Sequence, residues 1–221
     1  MKKVILFGSG LVSFLFATTI NIPSPDYPTI QAGINASVDG DTVLVAQGTY
    51  SENLILANEI VLTSHAIYDD LDSQWLDNDN INNTIISGAH SGSCLIVRDG
   101  NIQPTVIGLT FQDGVGTSMI EVDCGTFPIR SGGALLLYKA YPTIMYNRFI
   151  NNGFTPGLAG DGTSVTNGGA ISHFSDDDIE FDEDRDQASQ NNHSSRDIPE
   201  ELNIQNNYFE GNSSGDGENF Y

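Results

Sequence analysis

The side chains here that could do chemistry are mostly carboxylates. Of 221 residues, 29 are Asp or Glu and 8 are Lys or Arg, a formal charge of −21. Two stretches concentrate the acids: Asp69 to Asn80 (DDLDSQWLDNDN) and Asp176 to Asp186 (DDDIEFDEDRD). Clustered oxygens suit calcium, yet neither stretch has the glycine turn and terminal bidentate Glu of an EF-hand loop. A solvated, self-repelling loop is the plainer expectation, with calcium the open alternative. Gln187 to Ser195 (QASQNNHSS) extends the polar character of the second stretch. Glycoside hydrolysis needs two carboxylates about 5–10 Å apart. Asp113 and Glu121 are the pair to consider, and in so acidic a chain such pairs arise freely.

Other reactive types are sparse. His65, His90, His173 and His193 lack metal-ligand spacing and are expected on the surface or in turns. Ser91, Ser93 and Ser131 fall in turn-like sequence without a nucleophile elbow. The basic residues available for proton abstraction are Arg98, Arg130, Lys139, Arg148, Arg185 and Arg196, with Lys139 and Arg148 placed near a strand surface. Trp75, the single tryptophan, lies in a polar stretch. It is expected to pin its own loop to the body, with stacking on a sugar face as the alternative. Cys94 and Cys124 are either a disulfide or two buried thiols. No catalytic, cofactor-binding or metal-ligating residue is assigned. The charge excludes binding of nucleic acid through its phosphates, which needs a basic face.

Residues 1–19 read as a leader. Lys2 and Lys3 precede an apolar run from Val4 to Ala17, then small residues Ala17, Thr18 and Thr19. This is the layout of a secretory signal peptide, cut somewhere from Ala17 to Thr19. The run is shorter than the roughly 20 residues that span a bilayer, and no other segment could do so. The mature chain is therefore expected to be secreted or at the cell surface, with no membrane span.

What positions these residues is a repeat. Pro104 to Phe111 (PTVIGLTF), Pro142 to Phe149 (PTIMYNRF) and Leu202 to Phe209 (LNIQNNYF) align. Val106, Ile144 and Ile204 fall in register, as do Phe111, Phe149 and Phe209. Asn147 matches Asn207, and Asn152 matches Asn212. A small-residue turn with an apolar strand recurs as SGSCLIV (Ser91 to Val97), SGGALLL (Ser131 to Leu137) and NGGAIS (Asn167 to Ser172). Strands this short cannot stand alone. Stacked strand on strand, each pairs its backbone with the unit above and below, and inward apolar residues form continuous columns. Register kept over three units, with loops confined to one place, favours a right-handed parallel β-helix over residues 20–221 rather than a sandwich. Asparagines in register are expected to stack as a hydrogen-bonded ladder.

The N-terminal end fits that fold. Asp26 to Ser37 (DYPTIQAGINAS) predicts a short helix with Thr29 as N-cap and Ile30 and Ile34 on one face. It would cap the first coil, whose open edge is otherwise exposed. Asp41 to Val45 is expected to begin the first strand, Gly48-Thr49-Tyr50 to turn the chain, and Leu54 to Leu56, Ile60 to Leu62 and Thr84 to Ile86 to follow as strands. Gly211 to Tyr221 stops where another turn and strand would start, so a longer parent chain is expected.

In these segments the sequence resembles the extracellular right-handed β-helix repeat proteins of the pectate-lyase-like superfamily. The resemblance lies in Pro28 to Leu54 (PTIQAGINASVDGDTVLVAQGTYSENL), Thr84 to Gly88 (TIISG), the GGA turns and the N-x-F-x-x-N ends. It implies the fold over most of the chain after residue 19, and leaves activity open among lyases, hydrolases, esterases, adhesins and inactive members. Gly48 to Glu52 is similar to the early G-x-Y-x-E motif of pectin methylesterases, and Ile107 to Asp113 to the strand that follows it. The rest of that pattern is missing. Gly133-Ala134-Leu135 lacks the glutamine, Asn152-Gly153-Phe154 stands where a Q-D pair belongs, and no D-F-I-F-G occurs. Esterase chemistry then has neither nucleophile nor acid. Nor does an Asp cluster stand one coil from a basic residue, as a calcium-dependent lyase requires. The expectation is a non-catalytic scaffold, adhesin or glycan-binding module with a polysaccharide or cell-surface glycan as partner. A carbohydrate-active enzyme with a weakly marked site is the alternative.

Overall fold

The repeated apolar segments form short strands, each paired with the segment one repeat away. The computed structural model describes residues 17–98, 100–121, 127–153, 166–175, 179–181 and 202–214. The chain opens with β1 (Thr19–Ile22) and the helix α1 (Ile30–Ala36). It then passes through three sheets in turn. The first pass is β2 (Thr42–Val45), β3 (Gly48–Ser51) and β4 (Leu54–Leu56). The second is β5 (Val61–Ser64), β6 (Thr84–Ser87) and β7 (Leu95–Val97). The third is β8 (Thr105–Ile107), β9 (Thr110–Gln112), a hairpin of β10 (Thr117–Glu121) and β11 (Phe127–Ser131), and β12 (Leu135–Tyr138). The fourth is β13 (Thr143–Met145), β14 (Arg148–Ile150), β15 (Thr166–Asn167) and β16 (Ile171–Phe174). After β17 (Ile179–Phe181), β18 (Asn203–Gln205) and β19 (Tyr208–Glu210) begin another pass.

The first sheet runs β1-β2-β5-β8-β13-β18, the second β3-β6-β9-β14-β19 and the third β4-β7-β12-β16, all parallel. This all-β arrangement of stacked parallel strands fits a β-helix-like solenoid, with one pass as one coil. A fourth sheet, β15-β11-β10-β17, is antiparallel around β10 and stands outside the repeat.

Side chains alternate across each strand, so every second residue faces inward. In the first sheet Ile20, Val43, Leu62, Val106, Ile144 and Ile204 occupy one register column. In the third, Leu54, Leu95, Leu135 and Ile171 do so. These columns merge into one core, and burying each such side chain contributes about 1.5–3 kcal/mol. In the second sheet Phe111, Phe149 and Phe209 stack with centroids 5.5 and 4.9 Å apart and rings within 14° of parallel. The repeats read from sequence thus pair in the expected register.

Two asparagine ladders run beside these columns. Asn147 Oδ1 accepts from Leu109 N at 3.0 Å, and its Nδ2 donates to Val106 O at 2.9 Å. Asn207 repeats this one coil on, accepting from Asn147 N at 2.9 Å and donating to Ile144 O at 2.8 Å. Asn152 accepts from Gly114 N and donates to Phe111 O, both at 3.0 Å. Asn212 then accepts from Asn152 N at 2.9 Å. The GGA turns have a related logic. Gly132 and Gly168 take left-handed φ of +63° and +60°. The second glycine needs no such angle. A Cβ on Gly133 would overlap the Gly169 carbonyl, so stacked turns approach too closely for a side chain.

The helix closes the N-terminal end. Thr29 Oγ1 accepts from Ala32 N at 3.1 Å, and Ile30, Gly33 and Ile34 face the core. Glu52 accepts from Ile30 N and Gln31 N, both at 3.0 Å, satisfying two orphan donors of the first turn. The Gln31 carboxamide exchanges two bonds with Ile55, at 2.8 and 3.0 Å, as a neighbouring strand would. The exposed edge of β4 is thereby covered.

Three expectations are revised. Gly48 to Ser51 is the strand β3, with Tyr50 in the inward register and its hydroxyl on Ala46 O at 2.9 Å. The first strand is β1, ahead of the helix, pairing with β2. Long connections leave from all three corners: 65–83 between β5 and β6, 113–134 and 151–170 before the third sheet, and 175–202 after it. Residues 1–16, Cys124, His193, Arg185, Arg196, Gln187 to Ser195 and most of Asp176 to Asp186 lie outside the described residues.

Candidate functional site

The connection 65–83 carries the most exposed apolar surface among the described residues. It begins at Ser64, whose Oγ accepts from Ala66 N at 3.1 Å and starts a single 3-10 turn, His65–Tyr68. A second turn, Trp75–Asp77, leads into the short helix α2 (Asp79–Asn82), capped by Asn78. Ala66 and Ile81 are fully buried and anchor the two ends.

Between these anchors polar bonds shape the loop. Asp69 Oδ2 accepts from Asn78 Nδ2 at 2.9 Å and Asn80 Nδ2 at 2.8 Å. These amides, Asn78 first, hold the Asp69 carboxyl below its ordinary range. Asp70 accepts from Ser73 Oγ at 3.1 Å. Asp69 Oδ2 and Asp70 Oδ2 are thus engaged by neighbours, and among the described residues no group of three or more His, Cys, Asp or Glu is placed to hold a metal.

Trp75 packs edge-on against Tyr146, with centroids 5.8 Å apart and planes at 76°. The Tyr146 hydroxyl donates to Asp72 Oδ1 at 3.3 Å. Tyr146 sits at the corner between β13 and β14, two coils below the strand the loop leaves. At the intervening corner stands Gly108, where an added Cβ would meet Ala66, so the loop can lie flat against the stack. Trp75 therefore pins its loop. What remains outward is Tyr68, 70% exposed, with Ile67 and Leu76. Farther along, Arg148 donates to Asn82 Oδ1 at 2.6 Å and its guanidinium lies 5.5 Å from the Tyr208 ring. On this loop and the coils beside it thus stand outward Tyr68, the Trp75–Tyr146 pair and, by Arg148, Tyr208, with carboxylate, carboxamide and guanidinium groups among them. Such a surface can stack on and hydrogen-bond a polyhydroxylated ligand. Tyr146 escaped the reading of sequence, although it stands where the aligned repeats carry Gly108 and Asn206.

The other candidates resolve separately. Cys94 is a free, fully buried thiol on Gln112 O at 3.3 Å, in line with Ala134 in the turn-strand repeat, and burial pushes it up to about 12. His173 differs from expectation: it pairs with Leu137 in β16, in the inward register, and burial holds its imidazole below the ordinary value. His65 and His90 are exposed. Ser131 lies in a strand rather than a turn. Asp113 accepts from Gln112 Nε2 at 3.0 Å, and Glu121 closes β10 with its side chain outside the described set. Arg130 is buried and donates to Gly116 O at 2.7 Å. Glu52 and Tyr50 serve the helix and first coil as described above.

No family model, curated protein or solved structure matches the chain. Among the described residues no helix is long and apolar enough to cross a membrane.

Proposed function

We propose that this chain is an exported right-handed parallel β-helix of the pectate-lyase-like kind that serves as a non-catalytic scaffold binding glycans outside the cell. The aromatic residues on and beside the 65–83 connection carry the reading: exposed Tyr68, and the Trp75–Tyr146 pair with its polar neighbours, held on a stack of paired strands. Rigid aromatic faces are the usual means of gripping a sugar's apolar side at low entropic cost. The distribution of carboxylates supports the non-catalytic part. Among the described residues, Glu210 is the single Asp or Glu in the strands of the three stacked sheets. Facing carboxylates on adjacent coils, the arrangement for acid–base cleavage of a glycoside, have no source within those strands.

The test is a glycan array probed with the full chain and with Tyr68→Ala, each with and without calcium. Binding to a defined polysaccharide that Tyr68→Ala abolishes is the expected result. Calcium-dependent binding would bring the acidic stretches into the site. Binding to nothing in either condition would sink the glycan reading.

A further inference from the structure

Asp41 stands at the start of β2 with only 4% of its surface exposed. Its Oδ1 accepts from the backbone N of Thr18 at 2.7 Å and its Oδ2 from Val38 N at 2.9 Å. A buried carboxylate is costly without a compensating cation. Cutting the peptide bond before Thr18 would turn one of its two donors into such a cation. We propose that the chain is cut between Ala17 and Thr18, and that the α-ammonium group so formed pairs with Asp41 and locks β1 onto the stack. This rests on the export reading above.

The step is hydrolysis. Water adds across the Ala17–Thr18 peptide bond, Ala17 departs as a carboxylate, and the Thr18 nitrogen takes a proton to become an ammonium. The catalyst is a leader-removing peptidase that accepts a small residue before the cut, which Ala17 supplies.

The adjacent bonds fit less well. The Thr18 carbonyl accepts from Thr42 N at 2.8 Å, and Thr19 pairs with Thr42 in the first rung. Ala17 and Thr18 are exposed, whereas Ile20 is buried. A cut after Thr18 removes that carbonyl and takes one donor from Asp41. A cut after Thr19 deletes the rung and starts the chain on a buried residue. Local sequence alone points the other way: Ala17 and Thr19 place small residues at both positions of an A-x-A-like site for a cut after Thr19, while a cut after Ala17 puts Leu15 at the earlier position. Hydrogen bonding and sequence preference thus select different bonds, which makes the choice measurable.

The full chain is expressed with its own leader in a secreting host, and the N-terminus of the released protein is read by intact mass and terminal sequencing. Thr18 is the expected first residue. A start at Thr19, Ile20 or elsewhere overturns the proposal and leaves export standing; an uncut, unreleased chain overturns both. The pairing is read on the released protein by isotopic dimethylation of its α-amine and an NMR titration. The expected pKa is raised clearly above the about 7.7–8 of an unpaired α-amino group. Asp41→Asn should return it to the ordinary value. An ordinary value in the unsubstituted protein overturns the pairing, so the test holds even if the variant does not fold.

Discussion

Truncating Asn152 to alanine tests whether the ladder holds the coils together. Asn152 is buried, and its carboxamide accepts from Gly114 N while donating to Phe111 O and, at 3.1 Å, to Asn212 Oδ1. Alanine strips the Gly114 N–H and the Phe111 carbonyl of this partner where water has little access. A buried polar group left unsatisfied costs about 1–3 kcal/mol, so two of them put the loss near 3 kcal/mol, with water entry lowering it and poor relaxation raising it. That is a large part of the roughly 5–15 kcal/mol that holds a domain folded. Asn207→Ala is the control. Asn207 makes bonds of the same kind, on Asn147 N and Ile144 O, but it is only half-buried and water can take its place. Its loss should be about 1 kcal/mol. Guanidinium unfolding followed by far-UV circular dichroism measures both midpoints, at unchanged slope. Equal losses for the two variants, or less than about 1 kcal/mol for Asn152→Ala, would refute the idea that buried amide satisfaction is what the ladder supplies.

Four further outcomes are expected. Gly133→Ala should destabilise by more than about 2 kcal/mol in the same titration, because the new methyl overlaps the Gly169 carbonyl in the stacked turn. Cys94 should stay unmodified by iodoacetamide at mildly alkaline pH until the protein unfolds, since its thiol is buried and pushed up to about 12; peptide mass mapping without reductant should return it as a thiol. Tyr146→Ala should release the 65–83 connection and shift the emission of Trp75, the single tryptophan, to the red, at a cost of about 0.5–1.5 kcal/mol for the lost ring pair. Burial holds the His173 imidazole below its ordinary value, so the unfolded chain binds its proton first as pH falls. Stability from this group is complete above about pH 6.5 and is lost as pH drops toward the lower folded value, so His173→Leu should flatten the acid side of the stability–pH curve relative to the parent.

The repeats were legible because stacking imposes identical demands on each coil. Phe111, Phe149 and Phe209 must stack on one another, and Asn147 and Asn207 must fill the same corner, so the same residue types recur in order. The helix was legible through Thr29, whose capping role is local. Features resting on distant partners left less trace. The strand β1 is four residues beside the apolar run Val4 to Ala17, and its pairing with β2 depends on chain closure rather than on local pattern. Gly48 to Ser51 reads as a turn by its glycine, yet β6 supplies a parallel partner that overrides the local preference. His173 gives no sign in sequence that its column-mates are Leu137 and Val97. Of the aromatic pair, Trp75 was visible as a lone ring in polar sequence, but its partner Tyr146 lies far along the chain and only the fold joins them.

Because strands lie across the stack, their hydrogen bonds point along it, and this sets how the protein bears load. Tension between the two ends acts on one terminal coil at a time, opening its rungs as a zipper opens. From Thr105 to Thr143 one coil takes up 38 residues of chain. Its release lengthens the molecule by about 130 Å, while the stack it leaves shortens by only about 4.8 Å. A chain held at both ends would therefore yield in separate long steps, each absorbing work, while the coils still paired keep their shape.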